Sequence, residues 1–182
     1  MSDHAVEFAA TARLLDGRAV SLRRLGPGDA ADVLALHQHL SDHDRYFRFF
    51  TLQPVGLAEL VGKLTEPPDG LCALGAFDAG RLIGVAHYVV VREAPKAAEF
   101  AIVVAHEDHS VGVGTALLKH LARVARIHGI GRFVADVLGE NHLMLTVVFD
   151  LGWRCEPADY GSVRHLEIEL PELSDEDVKC PI

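Results

Sequence analysis

The chain predicts an α/β (α+β) fold, with strands and helices interleaved along a single domain. Three observations carry this. Apolar residues switch repeatedly between alternation and helical spacing. Glycine, proline and aspartate cluster where the period changes, as at Gly26-Pro27-Gly28-Asp29 and Pro67-Pro68-Asp69-Gly70. An apolar strand-like run, Ala98–Val104, passes through a glycine loop into a long amphipathic stretch.

Arg18 to Arg24 alternates like a half-buried strand. The break at Gly26–Asp29 offers Asp29 as a helix cap, with Val33, Leu34, His37 and Leu40 on one helical face. Tyr46, Phe49 and Phe50 follow at helical spacing, which reads as a core stripe before a substrate-groove wall, with Arg45 and Arg48 on a face that reads as solvated before it reads as a contact for an acidic patch of a partner. Leu57, Leu60, Val61 and Leu64 make a helix that the two prolines stop. Leu71 to Phe77 and Leu82 to Val91 are β-rich and joined by Asp78-Ala79-Gly80-Arg81, a hairpin turn. Leu117, Leu118, Leu121, Val124 and Ala125 form the stripe of the next helix, with Gly129 placed to end it. Arg132 to Leu138 reads as strand, Asn141 to Leu151 as helix and Val163 to Leu170 as strand. The expected organisation is a peripheral segment over 1–12, one domain over 13–171 and an acidic tail over 172–182.

The loop His109-Ser110-Val111-Gly112-Val113-Gly114-Thr115 is the most informative segment. Two glycines two residues apart let backbone turn tightly and approach a ligand. The helix behind them aims free N–H groups and its positive dipole end at the loop, so an anion is expected there, specifically a pyrophosphate. A nucleotide P-loop would need a Lys after its second glycine, where Thr115 stands. A dinucleotide fingerprint would need a third glycine, where Leu117 stands.

Composition narrows the partners. The 182 residues are one domain's worth and about half apolar. A net charge of −9 argues against a nucleic-acid partner while leaving a cationic acceptor open. Cys72, Cys155 and Cys180 are odd in number and scattered, consistent with a reducing compartment. With no basic n-region at the start and no apolar run of spanning length, the expectation is a soluble, cytoplasmic protein without membrane association. Among the 11 histidines, His106-Glu107-Asp108-His109 lacks the spacing of the metalloprotease helix, and no metal is expected.

The loop, the strand before it, Glu140-Asn141-His142-Leu143-Met144 and the ending Leu151-Gly152-Trp153 together resemble the GNAT family of acyl-CoA-dependent N-acyltransferases. The family's loop usually reads Gln/Arg-x-x-Gly-x-Gly/Ala, and here His109 takes its first position. Ser41 through Phe50, Ala98–Val104 and Glu140-Asn141-x-x-Met144 look most like the bacterial protein-lysine acetyltransferases that modify acyl-CoA synthetases. The resemblance covers roughly residues 18 to 170. It implies a mixed central sheet whose two parallel strands splay apart, flanked by helices, and acetyl-CoA as co-substrate. The pantetheine arm would insert between those strands and pair with Ile102, Val103 and Val104; His109, Ser110, Val111, Gly112, Val113, Gly114 and Thr115 would hold the pyrophosphate, and Asn141 and Met144 would meet the coenzyme. Asn141 also reads simply as a helix cap.

An amine must attack a thioester, and a lysine of pKa about 10.4 is almost wholly protonated at neutral pH. A base is therefore required. Glu99 is the candidate: it opens the strand beside the coenzyme within an apolar run, where loss of solvent would make its carboxylate a better proton acceptor, and the resemblance assigns a glutamate here that role; the other reading is a strand-end carboxylate facing water. The tyrosine that many relatives use as general acid, seven residues after the asparagine, is Val148 here, and Tyr160 is a poor substitute. The leading expectation is an acetyltransferase acting on a primary amine, foremost a protein lysine, with an acyl-CoA synthetase lysine as the candidate acceptor. The alternatives are a small-molecule amine acetyltransferase and a non-catalytic acyl-CoA-binding sensor domain.

Overall fold

The computed structural model describes residues 9–49 and 56–174. Among the described residues, eight strands form one mixed sheet: β1 (Ala10–Arg13), β2 (Ala19–Arg24), β3 (Leu71–Asp78), β4 (Arg81–Val91), β5 (Ala94–Val104), β6 (Arg132–Leu138), β7 (Cys155–Tyr160) and β8 (Val163–Glu169). They lie in the order β1-β2-β3-β4-β5-β6-β8-β7. The α-helices among these residues are α1 (Ala30–Gln38), α2 (Asp42–Phe49), α3 (Leu57–Thr65), α4 (Val113–Ile127) and α5 (His142–Asp150).

Every strand pairing is antiparallel except that of β5 with β6, which α4 joins by a crossover. That pairing is short. It holds Ala97 to Arg132, Ala98 to Phe133 and Glu99 to Val134, and then ends. Past this point β5 stays paired with β4 through Val104, and β6 stays paired with β8 through Leu138. The two parallel strands therefore diverge from Glu99 onward, as the resemblance implies.

Both faces of the sheet are covered. On one, α4 buries Leu117, Leu118, Leu121 and Val124 against Ile83, Phe100 and Phe133. On the other, α1 and α3 bury Val33, Leu36, Val61 and Leu64 against Ala73, Val85 and Val103. The period of two along β5 splits its side chains between these layers, so Phe100 joins the first core and Val103 the second. The turn at Ala79-Gly80 has positive φ at both central residues, the backbone twist that a tight β3–β4 hairpin needs.

Several expectations are corrected. Asp29 takes the N-cap position of α1 as expected but makes no side-chain bond to that helix; its carboxylate turns back to accept from the Gly26 N–H at 2.8 Å and to pair with Arg23. That pairing holds the Asp29 carboxyl below its ordinary pKa. Tyr46 is not core: it is 41% exposed. The side chain of Phe49 and all of Phe50 lie outside the described residues. Arg45 is not on a solvated face, because its guanidinium donates to the carbonyls of Gln38 and Leu40 and ties α2 to the end of α1. Two strands went unread, β1 and β7, and β1 crosses the boundary expected between residues 12 and 13.

Candidate active site

A cleft of about 390 Å³ opens where β5 and β6 part. Its walls are Phe100–Val104 of β5 and Ala135–Val137 of β6; the glycine loop and the start of α4 close one end, α5 a side, and α2 the rim. All the sequence-predicted site residues except Val111 line it: Glu99, Ile102, Val103, Val104, His109, Ser110, Gly112, Val113, Gly114, Thr115, Asn141 and Met144. Val111 faces away, and its carbonyl accepts from the Leu15 N–H at 2.9 Å, anchoring the loop to the β1–β2 connection.

The loop is an anion cradle by construction. Gly112 is the N-cap of α4 at φ 96°, a left-handed conformation that a β-branched side chain resists. The first intrahelical bond runs from the Ala116 N–H to the Gly112 carbonyl. The N–H groups of residues 112–115 thus have no acceptor within the helix. No acidic side chain occupies the first turn of α4 to neutralise them. At Gly114 an added Cβ would come 3.3 Å from Val147 of α5 and 3.9 Å from Val104 of β5, so the absent side chain keeps this end of the cleft open.

The loop's approach is fixed by charge. His106–Asp108 forms a 3₁₀ turn, and the Asp108 carboxylate, only 2% exposed, receives Arg18 at 2.9 Å and Arg81 at 3.0 Å. Arg18 immediately precedes β2 and Arg81 opens β4, so the turn is pinned to two points of the sheet. Arg18 also pairs with Asp16 and Asp78, and these partners raise its pKa above the ordinary guanidinium value.

Glu99 sits at the last paired position before the divergence and lines the cleft. Its side chain is exposed, which corrects the expected desolvation. The physical reason is strand alternation: Ala98 and Phe100 turn into the α4 core, and Glu99 between them turns the other way. Facing it, Arg48 of α2 lines the same cleft. Burial pushes the Arg48 guanidinium down to about 10, and attraction to Glu99 opposes the shift. It remains a cation at neutral pH. Behind it on β4, His87 is pushed down to about 3, first by burial and then by the charge of Arg48 and the nearby His37. His37, on α1, is lowered by burial too. The floor beneath the Glu99 end of the cleft is thus held neutral except for one guanidinium.

Asn141 serves α5 directly: its Oδ1 accepts from the Met144 N–H at 3.1 Å, so the cap reading holds while the residue also lines the cleft. Val148 is 2% exposed and packed in the α4 core, so the general-acid position is apolar in fact as well as in sequence. Tyr160 ends β7, which β8 separates from β6. The second wall, Ala135-Asp136-Val137, lies outside the expected site residues, as do the rim residues Asp44, Phe47 and Arg48, whose segment fits the groove-wall alternative rather than the core stripe. The alternation of β6 could have flagged the former; the latter depend on the packing of α2.

The acetyltransferase (GNAT) family model matches residues 35–145, which include the loop, both diverging strands and the start of α5. The GNAT domain of PAT from S. lividans is 29% identical, with 92% of this chain and 99% of that one aligned at a TM-score of 0.82. The acetyltransferase yncA from Salmonella typhimurium, solved with its cofactor acetyl-CoA, is 17% identical over 85% of this chain and 96% of that one, at a TM-score of 0.66. A cAMP-binding acyltransferase from Mycobacterium smegmatis is 22% identical, and the alignment takes in 90% of this chain but 48% of that one, at a TM-score of 0.61. The chain belongs to the acetyltransferase (GNAT) family and is an acetyltransferase.

Proposed function

We propose that this acetyltransferase transfers an acetyl group from acetyl-CoA to the side chain of a protein lysine, with Glu99 as the base, in the cytoplasm. The observation that carries the reading is the position of Glu99 at the fork: it stands where the strands part, at the opposite end of the diverging strands from the glycine loop. The open edge of Phe100–Val104 and the free N–H groups of residues 112–115 suit an extended arm ending in a pyrophosphate. When bound, the coenzyme supplies the activated acyl carbon of its thioester.

The residues of the chain do the rest. Ser110, Gly112, Gly114 and Thr115 would hold the pyrophosphate through backbone, and Ile102–Val104 would offer backbone pairing to the arm. Glu99, open to the cleft, would take the proton of the arriving ammonium directly or through water, leaving a nucleophilic amine. Arg48 would keep the Glu99 carboxylate oriented by attraction. Cleft carboxylates Asp44, Asp136 and Asp150 outnumber its basic side chains and favour a cationic acceptor. The likeness to the S. lividans PAT domain supports a protein acceptor, and an acyl-CoA synthetase lysine is the first substrate to test.

Release of coenzyme A from acetyl-CoA, followed with an acyl-CoA synthetase against a panel of small amines, tests the acceptor. Turnover on the protein supports the proposal, and turnover confined to small amines overturns it. Glu99→Gln tests the base: turnover should drop by roughly 10²- to 10⁴-fold, with coenzyme affinity almost unchanged. Part of the rate should return at alkaline pH, where more free amine exists. Near-wild-type turnover by that variant would remove Glu99 from the mechanism.

A further inference from the structure

At the rim of the cleft, three potential metal ligands converge where α2 meets the 3₁₀ turn before the glycine loop. Asp44 of α2, His106 of the turn and His109 beyond it each present one ligand atom, and these atoms all lie within 4.8 Å of one another. His106 Nδ1 is 3.3 Å from Asp44 Oδ2, and the two imidazole rings are 5.1 Å apart. We infer that Asp44, His106 and His109 form a binding site for a divalent transition-metal cation of the zinc class.

The surroundings prepare each ligand. The Ser41 hydroxyl donates to Asp44 Oδ2 at 2.7 Å, and the Asp44 N–H returns a bond to that hydroxyl at 3.1 Å, fixing the carboxylate. His109 Nε2 lies 3.0 Å from the Val104 carbonyl; donating its proton there leaves Nδ1 with the lone pair a cation needs. The neighbouring acids do not compete, since Glu107 pairs with Arg81 and Asp108 with Arg18 and Arg81. Two imidazoles and one carboxylate suit zinc, cobalt or nickel rather than magnesium or calcium, and three protein ligands leave a position for water. Ligand atoms of a tetrahedral cation stand closer together than in this arrangement, so binding draws α2 toward the turn. Asp44 and His109 also line the cleft, so the cation shares its rim with the loop.

The test is titration of the chelator-stripped full chain with Zn²⁺ against a chromophoric chelator, and with Co²⁺ followed by visible absorption. The expected result is about one Zn²⁺ per chain and a Co²⁺ spectrum of low coordination number. His106, 72% exposed, can be replaced without threatening the fold. His106→Ala should weaken Zn²⁺ binding by at least about 10²-fold, and Ser41→Ala by about 10-fold through loss of the supporting hydrogen bond. His39→Ala, whose ring bonds to the Ala35 carbonyl away from the cluster, should bind Zn²⁺ like the wild type. Equal Zn²⁺ affinity in the wild type and His106→Ala, or no measurable Zn²⁺ binding by the wild type, overturns the site. Neither readout involves acetyl transfer, so the outcome is independent of the proposed function.

Discussion

Lowering the pH from 7.5 to 5 should destabilise the fold through His87, and the size follows from its burial. In the folded chain its pKa is pushed down to about 3, by loss of water around the ring and by the adjacent Arg48 and His37 charges. In the unfolded chain it titrates near 6.5. Above 6.5 both states carry the neutral ring and His87 contributes nothing. As pH falls below 6.5 the unfolded state takes up a proton that the folded state refuses, so stability is lost, and the loss grows until the folded value near 3. At pH 5 the two states differ by one and a half pH units of proton uptake, or about 2 kcal/mol. His37 adds to the same slope with the same sign. The assay is urea denaturation at pH 7.5, 6.5, 5.5 and 5.0 for the wild type and His87→Asn. The variant begins at its own baseline, and only the slope is compared. It should lose about 2 kcal/mol less than the wild type over that interval. Parallel profiles would refute the claim that this half-buried ring stays neutral beneath the cleft.

The glycine loop and its anchor give two further expectations. Saturating coenzyme A at a hundredfold excess over its dissociation constant should stabilise the wild type by about 2.7 kcal/mol, and desulfo-coenzyme nearly as much. Gly112→Val, which strains a left-handed backbone, and Gly114→Val, which crowds Val147 and fills the cleft end, should abolish that shift; an undiminished thermal shift in either variant would sink the loop assignment. Asp108→Asn should cost about 2 kcal/mol, less than a fully buried pair because Arg18 and Arg81 keep partial solvent. It should also weaken coenzyme A binding, and unchanged affinity by calorimetry would show that the turn does not position the loop.

What the sequence made legible was whatever is encoded locally. β6 has the bounds its alternation predicted, and the stripe of α4 is buried as expected. Gly129 ends that helix in the left-handed conformation expected of it, with the Ile130 N–H bonded to the Ala125 carbonyl. What escaped depends on distant partners. β7 contains Glu156, Pro157 and Asp159, a composition that reads as loop and becomes strand because β8 offers it an edge. β1 is four residues of mixed polarity at the other edge. The apolar run around Glu99 suggested a dry carboxylate, because composition averages over both faces while a strand separates them. Arg45 and Arg48 read as solvated charges, yet one staples two helices and the other lines the cleft. Asp44 and His106 stand 62 residues apart in the chain, so no local motif could have joined them.

The leaving group is the last constraint on the proposed chemistry. Val148 occupies the position from which many relatives would donate a proton, and its burial in the α4 core commits that face of α5 to packing. A hydroxyl there would have to leave the core to reach the cleft. The departing sulfur is the weaker demand: an ordinary thiol has a pKa of about 8.5, so a thiolate can leave near neutrality and collect its proton from solvent. The attacking lysine sits almost two units higher at about 10.4 and cannot act without losing its proton first. The cost of the reaction therefore falls on the incoming side, where Glu99 stands exposed at the fork with Arg48 opposite it. The proposed pairing of Glu99 as base with no dedicated acid suits this pair of pKa values. On that reading, placing a tyrosine at position 148 should not rescue Glu99→Gln.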